Sequence, residues 1–108
     1  MRVEKSWGYE EILQNGAGGY CMKLLVYTRP IASSYHYHEH KHETFYIASG
    51  WFEVELDGGR AQVMGPYQHV VIPPEMRHRV RCTVPGTIVE ASSFDDPNDC
   101  IRLIPSET

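Results

Sequence analysis

The sequence is poor in the features that mark several large classes of protein. No apolar run approaches the roughly 18 residues that a membrane-spanning helix needs. Lysine and arginine number 10 against 14 aspartate and glutamate residues, with no basic block, which argues against nucleic acid or a membrane as a partner. The three cysteines form no C-x-x-C pair, so we expect free thiols and no disulfide framework.

The first residues also lack the apolar segment of a secretory signal peptide, because charged residues occur throughout positions 1–11. We therefore expect a cytoplasmic protein. The length of 108 residues is enough for one hydrophobic core, and no linker, repeat or low-complexity tract divides the chain. The sequence predicts a single domain over residues 1–108.

Helical periodicity is scarce, and short β-rich runs separated by turn residues take its place. We expect a hairpin after each of His38, Leu56 and Val84, where turn residues follow a run. Regular short strands of this kind predict an all-β fold, an antiparallel sandwich or barrel. The predicted strands are residues 19–28, 33–38, 43–48, 51–56, 60–64, 68–72, 78–84 and 87–92, with a less regular stretch over 94–104.

Histidine is the most informative residue type, because four of the six histidines lie between positions 36 and 42. Alternate side chains on a strand share a face, so His36 and His38 point the same way. A hairpin after His38 would bring Glu43 back beside them, and His78 comes from a later strand. Imidazoles and a carboxylate on one face can hold a divalent metal ion and leave positions open for water or substrate.

These residues carry a family resemblance. The pattern His36-x-His38, four residues, Glu43, six residues and Gly50 resembles the first motif of the cupins, and residues 66–78 resemble the second. The resemblance implies a double-stranded β-helix, the jelly-roll barrel of that superfamily. It also implies that His36, His38, Glu43 and His78 surround one metal ion.

A closer resemblance covers nearly the whole chain. Its features resemble the cupin domain of type II mannose-6-phosphate isomerases, which carry a glutamine ligand where this chain has His36. The resemblance implies a metal-dependent isomerase or epimerase whose small-molecule partner is a sugar or a sugar phosphate. The features are Trp7-Gly8-Tyr9-Glu10, Gly19-Tyr20 before Lys23, Ser34, the H-x-H-x-x-E formed by His38, His40 and Glu43, and Asp99-x-x-Arg102.

An aldose–ketose isomerase needs a Lewis acid and a base that moves a proton between neighbouring carbons. Lys23, His40 and Glu90 are the candidate acids and bases, and Arg102 is the candidate phosphate anchor by resemblance. Each catalytic candidate has a structural alternative: a solvated strand residue for Lys23, a hairpin residue for His40 and an ion pair for Glu90. The metal is zinc, manganese, iron, nickel or cobalt, all of which accept such ligands.

Two other functions stay open at this stage. Three imidazoles and one carboxylate also suit ferrous iron, which predicts a dioxygenase-type cupin. A barrel that binds a saccharide or another small molecule without turnover is the third interpretation, because fold alone does not decide function. Tyr35, Tyr37 and Tyr46 fall on the face opposite the ligands and predict a homodimer interface.

Overall fold

The computed structural model describes residues 1–108, which form two antiparallel β-sheets and two single-turn 3-10 helices, Ala17–Gly19 and Pro97–Asp99. No helix is long and apolar enough to cross a membrane. The strands are β1 (Arg2–Lys5), β2 (Gly8–Asn15), β3 (Tyr20–Tyr27), β4 (Tyr35–His38), β5 (Glu43–Ile47), β6 (Trp51–Leu56), β7 (Gln62–Met64), β8 (His69–Ile72), β9 (His78–Val84), β10 (Gly86–Ser93) and β11 (Cys100–Ile104).

Strands that follow one another in the chain often lie in different sheets. One sheet has six strands in the order β1-β2-β3-β10-β5-β8, and the other has five in the order β11-β4-β9-β6-β7. The predicted all-β jelly-roll fold class is thereby confirmed. The sequence-based interpretation missed β1 and β2, and it left β11 inside an irregular stretch.

Two of the predicted hairpins are wrong. β4 and β5 lie in different sheets, so residues 39–42 cross between the sheets instead of closing a hairpin. β9 and β10 also separate, at Pro85, and β10 pairs with β3 and β5. The period-two pattern shows which side chains face inward, but it does not show which strands pair. The predicted pairing of β6 with β7 is confirmed.

The inward-facing side chains change from apolar to polar along the strands. At the polar end the same strand faces carry Lys23, Glu43, His78 and Glu90, all of them buried. Every second residue of a strand faces the interior, so one strand contributes apolar side chains to the core at one end and polar side chains to the other end. At the other end lies the apolar core, which includes Leu25, Tyr27, Phe45, Ile47, Phe52, Val54, Val80, Cys82 and Ile88.

Phe52 tests the position of this core. Its side chain is fully buried, and its ring meets Tyr27 edge-on with 5.2 Å between centroids. We expect Phe52→Ala to lower the free energy of unfolding by about 3–5 kcal/mol, because it leaves a cavity between the sheets. Val63→Ala is the control, since Val63 on β7 is 63% exposed; we expect a change within about 0.5 kcal/mol. Urea denaturation measures both, and equal losses would contradict this placement of the core.

Candidate metal centre

The polar end of the sandwich opens into a cavity of about 810 Å³, walled by both sheets. Cavities of this size hold small-molecule ligands. The four predicted metal ligands line it, and so do Lys23 and Glu90. His40 is exposed in the crossover and does not line the cavity. The polar side chains in the wall include Glu10, Lys23, Ser34, His36, His38, Lys41, Glu43, His78, Glu90, Asp95 and Arg102.

Donor atoms from both sheets meet at one point of this cavity. His36 on β4 lies directly opposite His78 on β9, and their ring centroids are 4.4 Å apart. Glu43 begins β5 in the facing sheet. Its Oε2 lies 3.3 Å from Nε2 of His38 and 4.0 Å from Nε2 of His78. The crossover between the sheets therefore places the carboxylate against the imidazoles.

Asp99 fixes the conformation of that crossover. Its buried carboxylate accepts backbone hydrogen bonds from Glu39 at 2.9 Å, from His40 at 3.1 Å and from Lys41 at 3.0 Å. An ionised acceptor shared by successive backbone N–H groups holds a turn in one shape. Asp99 thus orients the segment that carries His38 at one end and Glu43 at the other.

Three buried polar atoms in this cluster have no hydrogen-bond partner: His38 Nδ1, Glu43 Oε2 and His78 Nε2. An unsatisfied buried polar atom costs roughly 1–3 kcal/mol, so such atoms need an explanation. His78 Nδ1 donates to the carbonyl oxygen of Met76 at 3.0 Å, which leaves the lone pair of its Nε2 free. Ligand atoms of His38, Glu43 and His78 lie within 4.8 Å of one another. The donor set fits a divalent metal ion.

The histidines are in the form that binds metals. Burial lowers the pKa of His38 to about 4 and the pKa of His36 to about 2, and it also lowers the pKa of His78. All three rings are therefore neutral at pH 7 and offer lone pairs. Burial raises the pKa of Glu43, against the opposing effect of the nearby Lys41 ammonium group. A bound cation would favour the carboxylate form of Glu43.

His36 lies beside this group and not within it. Its Nδ1 contacts the carbonyl oxygen of Ser34 at 3.1 Å and the Ser34 hydroxyl at 2.9 Å. Its ligand atom groups with those of His38 and Cys100, again within 4.8 Å. The structure thus brings three of the four predicted ligands together and places His36 in an adjacent group that shares His38.

Sequence reasoning missed Lys41, which is 4% exposed. Its Nζ donates to Glu90 Oε2 at 2.9 Å and to Asp95 Oδ1 at 3.0 Å, and lies 3.7 Å from Glu43 Oε2. Asp95 Oδ2 accepts a further hydrogen bond from Lys23 Nζ at 2.6 Å. Lys41 lies in the crossover, outside any strand, so the alternation of side chains does not predict whether it faces the cavity. The only signal in the sequence is its position two residues before Glu43.

The charges of this network do not balance on their own. Burial alone would lower the pKa of Lys41, but Glu43, Glu90 and Asp95 raise it. Burial alone would raise the pKa of Asp95, but the two lysines hold it at about 2. With all groups ionised, two ammonium groups face four carboxylates, which leaves two negative charges for a divalent cation to neutralise. The six groups are Lys23 and Lys41 against Glu10, Glu43, Glu90 and Asp95.

Comparison of the chain with known families gives a definite match. The family model for the cupin domain matches residues 28–91. The chain belongs to the cupin family. That segment contains the four predicted metal ligands, Lys41 and Glu90, whereas Glu10, Lys23 and Asp95 of the charge network lie outside it. A search of curated proteins found no match.

Several solved structures share the architecture at low sequence identity. KdgF from a Halomonas species is 21% identical, with a TM-score of 0.74, over 83% of this chain and 81% of its own. A variant of Streptomyces Pac13 solved with uridine is 13% identical, with a TM-score of 0.83, over 99% and 86%. An RmlC-like cupin from Shewanella frigidimarina is 16% identical, with a TM-score of 0.77, over 91% and 86%. At these identities the likeness shows the fold.

The metal content of the protein and of its variants tests the candidate metal centre. We expect the parent protein to bind roughly one ion per chain and His38→Ala to lose most of it, because His38 belongs to both donor groups. The fold should persist, since the apolar core lies at the other end of the sandwich. His42→Ala is the control, because His42 is exposed and outside both groups. Elemental analysis measures both, and full occupancy in the His38 variant would contradict the site.

The charge network makes a prediction about stability. Lys41→Met leaves the carboxylates of Glu43, Glu90 and Asp95 facing one another without the ammonium group between them. We expect the free energy of unfolding to fall by about 3–5 kcal/mol, as for other broken buried ion pairs. Lys5→Met is the control, because Lys5 forms no ion pair, and it should change stability by about 0.5 kcal/mol or less. Urea denaturation without metal distinguishes them, and similar losses would contradict the network.

Proposed function

We propose that this cupin is a metal-dependent isomerase or epimerase that acts on a sugar or a sugar phosphate. One divalent ion, of zinc, manganese, iron, nickel or cobalt, would be held by His36, His38, Glu43 and His78. The convergence of unpartnered donor atoms on one cavity, beside a buried lysine–carboxylate network, is the observation that carries the proposal. When bound, such an ion supplies a Lewis acid for a substrate carbonyl oxygen.

Moving a proton between neighbouring carbons requires a base that takes it from one carbon and returns it to the other. We assign this role to Glu90, whose carboxylate is held by hydrogen bonds from Lys41 at 2.9 Å and Ser92 at 3.1 Å. Lys41 stays protonated beside Glu90, because three carboxylates raise its pKa, and it neutralises charge during the transfer. Lys23 holds Asp95 in place, and the exposed position of His40 gives it no part in this step.

The cavity offers surfaces suited to a polyhydroxylated ligand. Apolar side chains such as Trp7 and Phe45 line the walls between the polar groups and would cover the C–H faces of a sugar ring. Arg102 lines the cavity, is exposed and has no carboxylate partner, so we assign it to a ligand phosphate. The Pac13 structure, which this chain resembles in fold, contains uridine, and Pac13 is described as a nucleoside dehydratase. A cupin of this shape thus accommodates a ligand that contains a sugar.

The prediction of a homodimer also stays part of the proposal. Tyr46 on β5 is 40% exposed, on the face opposite the cavity. The Arg77 guanidinium lies 5.0 Å from the centroid of the Tyr37 ring. The ring and the guanidinium together form a flat amphipathic surface. Tyr35 lies half-buried on the same strand as Tyr37. Because β4 and β5 lie in different sheets, Tyr35 and Tyr37 face outward from one sheet and Tyr46 faces outward from the other, so a single contact does not include all three. We place the dimer contact on Tyr35 and Tyr37.

Deuterium exchange tests the reaction class across many candidate substrates at once. Metal-loaded protein is incubated in D₂O with a panel of aldoses, ketoses and their phosphates, and proton NMR follows the hydrogen on the carbon next to the carbonyl group. We expect exchange with at least one compound, and its loss in His38→Ala and Glu90→Gln. The His42→Ala variant serves as the matched control and should keep the activity.

The other outcomes identify the competing functions. Oxygen consumption that depends on ferrous iron, with no deuterium exchange, would replace the isomerase with a dioxygenase-type cupin. Saturable binding of a saccharide, with neither exchange nor oxygen consumption, would make the chain a binding protein. Both results would contradict the proposed isomerase.

A further inference from the structure

Cys100 is the one cysteine that faces the metal centre. It begins β11 and pairs directly with His38 on β4. Residues that oppose each other on neighbouring antiparallel strands carry their side chains on the same face, close together. The thiol therefore lies on the cavity side, and Cys100 is part of the cavity wall. It is a half-buried free thiol with no disulfide partner.

The surroundings of the Cys100 sulfur are those of a metal ligand. Ligand atoms of Cys100, His36 and His38 lie within 4.8 Å of one another. The His38 side chain is 7% exposed, and its Nδ1 has no hydrogen-bond partner. His36 turns its Nδ1 to Ser34, so its Nε2 is left for a ligand. Metal–ligand bonds of about 2.0–2.3 Å place neighbouring donor atoms roughly 3–4 Å apart, so donor atoms within 4.8 Å of one another need only small side-chain movements to share an ion.

We propose that Cys100 is a further ligand of the metal centre and completes it on the side of His36 and His38. This inference rests on the proposed metal function and extends it to the choice of metal. The thiol proton passes to solvent as the sulfur–metal bond forms, with no change of oxidation state. The ion then has imidazole, carboxylate and thiolate donors, a set that favours zinc, cobalt, nickel or ferrous iron over manganese.

The other two cysteines are internal controls. Cys82 is fully buried in the apolar core, and Cys21 is buried on β3 opposite Ser92. Neither belongs to a group of candidate ligand atoms. A thiolate signal from bound metal should therefore depend on Cys100 alone.

Cobalt substitution tests the proposal directly. Apo-protein is loaded with Co²⁺, and its near-ultraviolet absorption is recorded, where a thiolate bound to cobalt gives a charge-transfer band that nitrogen and oxygen ligands do not. We expect the band in the parent protein and in the Cys21→Ala variant, and its complete loss in Cys100→Ser with cobalt still bound. The band should also disappear in His38→Ala together with the metal.

The opposing outcomes separate this inference from the proposed function. Cobalt bound by the parent without the band, or a band that persists in Cys100→Ser, would overturn the role of Cys100 and leave the metal centre standing. No cobalt bound by the parent would overturn both. Alkylation of the parent protein by iodoacetamide needs no variant: zinc should slow modification of Cys100, read by peptide mass. Equal rates with and without zinc would contradict the inference.

Discussion

Charges buried inside a small β-sandwich have to be compensated where they lie, and this constraint shapes the whole polar end of the protein. Lys41 is held between Glu90 and Asp95, and Asp95 is shared with Lys23. Each of these groups would be costly in a low-dielectric interior without its partners. Lys41 Nζ lies closer to Glu90 and Asp95 than to Glu43, whose Oε2 is 3.7 Å away, so the chain compensates the Glu43 carboxylate only in part. The unpartnered Glu43 oxygen is thus a consequence of how the other charges are arranged.

The passage of the chain from one sheet to the other makes this arrangement possible. A hairpin after His38 would place Glu43 in the same sheet as His38, with both side chains on one wall. The crossover puts Glu43 on the facing wall, so that donor atoms approach a bound ion from both sheets. Asp99 holds the crossover through three successive backbone N–H groups. A carboxylate on the second 3-10 helix therefore positions Glu43, a proposed metal ligand in the other sheet.

The sequence was sufficient for the fold class and for the presence of His36, His38, Glu43 and His78 in the wall of one cavity. Alternation along a strand fixes the face of His36, His38 and His78, and the start of the next strand fixes that of Glu43. It does not fix strand pairing, which depends on contacts far apart in sequence, so the hairpins after His38 and Val84 were wrong. Side chains do not alternate in turns, so the burial of Lys41 could not be predicted from the sequence. His40 is predicted from its match to a histidine of the resembled family, and a motif match gives no information on exposure, which is high at this position.

Because proteins with this fold share little sequence, the chemistry must be read from the side chains at the polar end. A bound divalent cation would balance the two ammonium groups and the four carboxylates at the bottom of the cavity, and a Cys100 thiolate would add one negative charge there. Arg102 lies in the cavity wall, exposed and without a carboxylate partner. A cavity with its unpaired positive charge in the exposed part of the wall favours a ligand with an anionic end outside and hydroxyl or carbonyl groups inside. The proposed sugar phosphate would therefore bind with its carbonyl end toward the proposed metal ion.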